Sequence, residues 1–165
     1  LGFWSFDIVS NFVLRISNLL RGGNTLDQRV KEAICRAVKK EPFAQVLKLE
    51  LVFLEYGHSV VEMTYDPAVA SNIYDRAHGG SIYSLIDEAF QAAGQTDGTI
   101  AVALNVNVTY ITSPKPHTRL RAEARRVSQT KRTAGYHIVV RDQKEQVIAT
   151  CQALAYQTGK PIPFL

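Results

Sequence analysis

Asn72, the run His78-Gly79-Gly80 and Asp87 lie close enough along this chain, and are of the right types, to do chemistry together. Two glycines open a segment that then turns helical, so bare backbone N–H groups face whatever lies at that helix end. Those donors and the positive end of the helix dipole suit an anionic oxygen. A carboxylate, Asp87, follows two turns later on the same helix, and the side-chain amide of Asn72 precedes it. An oxyanion site with a carboxylate is the minimum needed to hydrolyse an acyl group.

Each of these residues also has a plainer role. Asp87 is either a solvated carboxylate on an amphipathic helix, or a base activating water, or a nucleophile attacking the acyl carbonyl. Gly79 and Gly80 suit close packing as well as oxyanion binding, since both need an absent side chain. His78 either caps the helix and braces the loop, or touches substrate. Asn72 either forms a turn or orients water or the carbonyl with its amide. Gly80, Tyr83, Ser84 and Gln91 share a helix stripe with Asp87 at offsets of three, four and seven.

Other chemistries find little support. The four histidines, His58, His78, His117 and His137, have no paired metal-ligand spacing. Ser81 and Ser84 are not in a G-x-S-x-G elbow, and no phosphate-loop or dinucleotide fingerprint occurs. Nineteen Lys and Arg against fifteen Asp and Glu give +4, too small an excess to argue for nucleic acid but suited to a ligand carrying phosphates. Lys115, Arg119, Lys131 and Arg132 fall at strand ends or turns, as solvated surface or as contacts to a nucleotide phosphate. Cys35 and Cys151 read as buried reduced thiols. Hydrophobic content of 46% and charged content of 21% fit a soluble globular chain, with soluble cytoplasm the default location.

The elements that must position these residues are legible from periodicity. Residues 79–94 form the long helix, with Ile82, Leu85, Ile86, Ala89, Phe90 and Ala93 on its apolar face. Upstream, residues 3–20 read as an amphipathic helix that packs on the domain or a second subunit, or lies on a membrane surface. Asp7, Asn11 and Arg15 interrupt that run too often for a membrane span, and it lacks the marks of a secretory signal. Arg21-Gly22-Gly23-Asn24 breaks the chain, and a second helix covers 26–40 until Glu41-Pro42. Val46–Tyr56 and Ser59–Tyr65 read as paired strands, followed by an irregular passage from Asp66-Pro67 to Ala77. Four strands follow the long helix, over 100–111, 118–128, 133–141 and 147–157. In the first of them Val102, Leu104, Val106, Val108 and Tyr110 alternate with Ala103, Asn105, Asn107 and Thr109. The order implies an α+β fold, an antiparallel sheet with one long helix against it.

With the strand order, the spacing Asn72…His78-Gly79-Gly80…Asp87 resembles the hotdog-fold acyl-CoA thioesterases, in their PaaI-like branch. The likeness covers about residues 43–157 and returns over Asn105-Val-Asn107-Val-Thr-Tyr110. It implies a hotdog fold, a central helix wrapped by a curved antiparallel sheet, with residues 43–165 as the thioesterase domain and 1–42 as an N-terminal helical extension. It also implies a homodimer or dimer of dimers with the active site across the interface. In that reading the Gly79 N–H polarises the thioester carbonyl, with His78 beside it. Asp87 of the other subunit acts as base or nucleophile, and Asn72 orients it. Substrate contacts are expected from Gly80, Tyr83, Ser84, Gln91, Asn105, Lys131 and Arg132. The substrate is an acyl-CoA, the products are free CoA and a carboxylic acid, and no metal or redox cofactor is required.

Two departures stand out. Relatives that place Ser or Thr on the strand after the helix would have it at Ala103, and residues 1–42 have no counterpart in the minimal domain. Those residues lengthen the acyl tunnel, cap the dimer or touch a membrane. Two other functions remain open: a non-catalytic acyl-CoA sensor with 1–42 as effector arm, and hydratase chemistry, which the motif fits less well. Eight residues separate Gly79 from Asp87, about 12 Å along a helix. Two such groups in one chain do not address the same carbonyl, so the motif itself calls for a two-fold mate.

Overall fold

The computed structural model describes residues 25–165, and the expected helix over 3–20 lies outside them. Helix α1, Gln28–Lys40, starts where the Asp27 carboxylate accepts from the N–H groups of Arg29 and Val30. Its stripe of Val30, Ala33, Ile34 and Val38 packs on Leu54, Ala92 and Ile162. Glu41 stays extended ahead of Pro42, as the residue before a proline should. Pro42 then starts a second short helix, α2, Pro42–Leu47, so the strand expected from Val46 begins only at Glu50. The reason is local: proline at the first helical position is pre-organised for a helix, and Lys48 at φ 54 stops it.

Strands β1, Glu50–Glu55, and β2, His58–Thr64, form a hairpin whose turn uses Gly57 at φ 66. The passage to Ala77 contains one four-residue helix, α3, Pro67–Ala70, capped by Asp66. The long helix α4 runs Gly79–Gly94, with the bounds its periodicity predicts, and ends in a 3-10 turn at Gln95–Asp97. Then come β3, Thr99–Tyr110, β4, Arg119–Gln129, β5, Thr133–Asp142, and β6, Val147–Pro161. The six strands form one antiparallel sheet in the order β1-β2-β4-β5-β6-β3.

The sheet's inner face carries Ala122, Ala124, Ala134, Ala149, Ala153 and Ala155, and their small side chains let α4 lie close. Leu85, Ile86 and Ala89 are fully buried against this floor. Burial of each such Leu or Ile contributes about 1.5–3 kcal/mol. Arg126 of β4 fixes the far end of the helix. It pairs with Asp97 at 2.6 Å, donates to the Tyr136 hydroxyl at 3.0 Å and stacks on the Tyr56 ring. Tyr56 also donates its hydroxyl hydrogen to Asp97.

Strand β3 departs from strict alternation. Ala103 faces Ala155 and Asn105 faces Leu154, so Leu104 is an extra, bulged residue. Ala101 and Ala103 therefore share the inner face with Val106, Val108 and Tyr110, and Asn105 turns outward beside Leu154. That corrects the uninterrupted alternation expected for this strand. Among the described residues, no helix is long and apolar enough to cross a membrane.

Candidate active site

At the start of α4, His78 is the capping residue, and its Nδ1 accepts from the Gly80 N–H at 2.8 Å. A neutral ring accepting at Nδ1 carries its proton on Nε2, on a side chain that is exposed. A Cβ on Gly80 would come within 2.9 Å of that His78 nitrogen, so the cap requires glycine there. Ser81 N–H and Oγ both donate to the His78 carbonyl, at 3.0 and 2.7 Å. Ser84 donates its hydroxyl to the Gly80 carbonyl. The Gly79 N–H is left as the unengaged donor of this first turn among the described residues.

Gly79 is held from the other side by Tyr110, whose hydroxyl donates to the Gly79 carbonyl at 2.9 Å. A Cβ on Gly79 would sit 3.3 Å from the Tyr110 ring. Tyr110 thus anchors the helix start to the end of β3, a role its strand position alone does not suggest. Asn72 braces the preceding loop: its Oδ1 accepts from Tyr74 N–H at 2.9 Å and from Arg76 N–H at 3.2 Å. The turn-forming role is therefore present, and it consumes the carbonyl end of the amide while Nδ2 remains a donor.

Asp87 is half-buried at the edge of a cleft of about 240 Å³ lined by Phe90, Gln91, Gly94 and the β3 run Ala101–Ala103, with Ala155 behind. Burial, and next the nearby Glu41 carboxylate, raise its proton affinity above that of an ordinary aspartate. Ala103, where the family resemblance raises the expectation of a Ser or Thr, lies in this cleft and brings only a methyl group. Tyr83, on the same stripe, has its hydroxyl pKa raised by burial and then by Asp87. A second hollow, about 360 Å³ between Lys48, Glu62 and Arg119, shares no residue with this cleft. Its central charges, Arg119 and Glu62, pair with each other.

Other expected contacts are dispersed. Lys131 and Arg132 lie in the β4–β5 turn, at the sheet end opposite Gly79, and Arg132 donates to the Tyr156 hydroxyl. Asn105 faces outward on the sheet side away from α4. Sequence reading missed Glu88, which is only 4% exposed and whose pKa is pushed up to about 7 by burial, then by Glu41 and Asp87. The available signal was a carboxylate three residues from Leu85 and four from Ala92, inside the helix's apolar face.

Comparison with known proteins agrees with this architecture. A profile of the thioesterase superfamily matches residues 74–149. The acyl-coenzyme A thioesterase PaaI of Escherichia coli is 29% identical over 119 residues, covering 72% of this chain and 84% of that protein. The solved structure of the E. coli PaaI protein gives a TM-score of 0.78 at 25% identity, over 83% of this chain and 99% of that one. A mutant of the phenylacetic acid degradation protein PaaI from Thermus thermophilus is 31% identical, with TM-score 0.67 over 70% of this chain and 98% of that one. A Streptococcus mutans protein solved with acetyl CoA is 28% identical, with TM-score 0.65 over 69% and 91% of the two chains. With this central helix, this strand order and these relatives, the chain belongs to the thioesterase superfamily, as a hotdog-fold member of its PaaI-like branch.

Proposed function

We propose that this thioester hydrolase cleaves an acyl-CoA to free CoA and a carboxylic acid, at sites shared between two subunits. The observation that carries the reading is Asp87, a half-buried carboxylate of raised proton affinity in a cleft whose other residues, Gln91 apart, bring no polar side chain. A carboxylate in that setting is a better base than one in water. The Gly79 N–H of one subunit, at the positive end of α4, polarises the thioester carbonyl and then holds the oxyanion. Asp87 of the mate takes a proton from water as the water oxygen attacks that carbon. The tetrahedral adduct collapses, the C–S bond breaks, and the CoA thiolate leaves and is protonated. His78, through Nε2, and Asn72, through Nδ2, are the donors left to orient the substrate and the water. Gln91, Tyr83, Ser84 and Gly80 line the same stripe of α4.

The acetyl CoA complex and the acyl-coenzyme A thioesterase among the relatives support the CoA substrate. The cleft beyond Asp87 is where the acyl group goes, floored by Phe90, Gly94 and Ala101–Ala103. Self-association has its support in β3, whose outer edge pairs with no other described strand and which exposes Val102, Leu104 and Tyr110, with Ile111 exposed just beyond its end. Across a two-fold axis antiparallel helices bring each Gly79 toward the half of the mate that carries Lys131 and Arg132. Those two cations are then the contacts for the CoA phosphates. Residues 43–165 are the catalytic domain and 1–42 an extension, whose described helix α1 packs on that domain.

The Asp87→Asn variant is the direct test. Thiol release from acetyl-, hexanoyl-, dodecanoyl- and benzoyl-CoA is expected to fall at least about a hundredfold, with the fold intact by circular dichroism. Turnover at the wild-type rate would remove Asp87 from the mechanism.

A further inference from the structure

Glu41 stands at the junction of α1 and α2, before the segment that the family profile matches, yet its side chain reaches the catalytic helix. Gln91, one turn after Asp87, donates from Nε2 to the Glu41 carboxylate at 2.8 Å and, more weakly, to the Glu88 carboxylate at 3.5 Å. A carboxylate only accepts, so the short bond to Glu41 fixes which way the carboxamide is turned. Nε2 faces the pair, and Oε1 is the acceptor left on a side chain that lines the Asp87 cleft.

We propose that Glu41 is a positioning residue for thioester hydrolysis: its carboxylate holds the Gln91 carboxamide at the rim of the cleft, with Oε1 presented to the water that Asp87 activates. The inference rests on the reading of Asp87 as the base. The proton of the water goes to Asp87, and Gln91 only accepts a hydrogen bond, so no further reactant is involved. The N-terminal segment thereby supplies a part of the site.

Glu41 also acts through its charge. The groups that face Asp87 are Glu41 from the α1–α2 junction, Glu88 and Tyr83 on α4 itself, and Cys151 on β6. Strands β2, β4 and β5 meet α4 with Ser59, apolar residues and Tyr136, none of them a charged group in this range. After burial, the Glu41 carboxylate is what raises the proton affinity of Asp87. Removing its charge therefore lowers that affinity and leaves Asp87 ionised at lower pH.

Two substitutions separate the roles. Glu41→Gln keeps an oxygen to accept from Gln91 and loses the charge. The acid limb of its kcat/KM against pH is expected to move to lower pH, with the plateau near wild type. Glu41→Ala loses both, and kcat at the plateau is expected to fall about fivefold or more while KM stays within about twofold. Both are assayed on whichever of the four acyl-CoA probes the wild-type chain hydrolyses fastest. Wild-type kcat and an unmoved acid limb in both variants would overturn the proposal, as would equal losses in the two. A Glu41→Ala chain that fails to fold leaves the Glu41→Gln profile to decide. Asp87→Asn is measured alongside: if it is inactive while the Glu41 variants behave as wild type, only this inference fails. If Asp87→Asn is active, the base assignment fails first and takes the inference with it.

Discussion

Glu88 shows most plainly how a single side chain is tuned by its place on α4. Its carboxyl holds a proton up to about pH 7, whereas an ordinary glutamate releases it near 4.5. A group whose folded pKa is raised favours the folded state below the unfolded pKa and loses that contribution as pH climbs through the folded value. The gap from 4.5 to about 7 corresponds to about 3 kcal/mol. Wild type is therefore expected to lose stability between pH 5 and pH 8 relative to Glu88→Gln, by an amount approaching that figure. Urea unfolding of both proteins at the two pH values measures the difference, and parallel stabilities would refute the assignment. Asp87 differs in degree, because it is only half-buried and keeps contact with solvent. His78 is tuned by geometry instead: its ring is held by the Gly80 N–H it accepts.

Among the elements, α4 depends on what grips each of its ends. Tyr110 holds the start, and the Arg126–Asp97 pair holds the finish. The Arg126 side chain is 8% exposed, so losing its carboxylate partner would strand a buried charge. Asp97→Ala is expected to destabilise the fold by about 3–5 kcal/mol, read as a lower thermal midpoint. A midpoint within one or two degrees of wild type would mean that Tyr136 and Gln129 suffice for the guanidinium. How far these elements are legible in the sequence varies with length. The bounds of α4 follow from its residues alone, because sixteen positions of periodic apolar spacing leave little choice. Helix α2 goes unread, its last two residues taken into a strand from Val46, since six residues carrying Phe43 and Val46 are too few to display a period. The bulge at Leu104 is invisible, because an added residue in an apolar run changes the facing of side chains without changing their types. His78, Gly79, Gly80 and Asp87 stand out because they lie within one local stretch. Glu41 does not, because it meets Gln91 across fifty positions of sequence.

For the whole molecule, the proposed pairing of Gly79 from one subunit with Asp87 from its mate makes assembly part of the proposed chemistry. Gly79→Val and Asp87→Asn homodimers should each be inactive. Mixed after dissociation, they should recover about a quarter of wild-type activity, since half the dimers are then mixed and each holds one intact site of two. No recovery from a mixture shown to exchange subunits would place the two groups in one chain. Strand β3 gives this assembly a second meaning. It is twelve residues long, lies at the sheet margin and carries exposed Val102, Leu104 and Tyr110 along its length. Until a mate covers it, such a margin is a template onto which any stray strand can add, including that of another unfinished copy. Newly made chains are then most prone to aggregate during the interval between folding and pairing. The kink that Leu104 puts into the strand shortens the straight run available to a wrong partner.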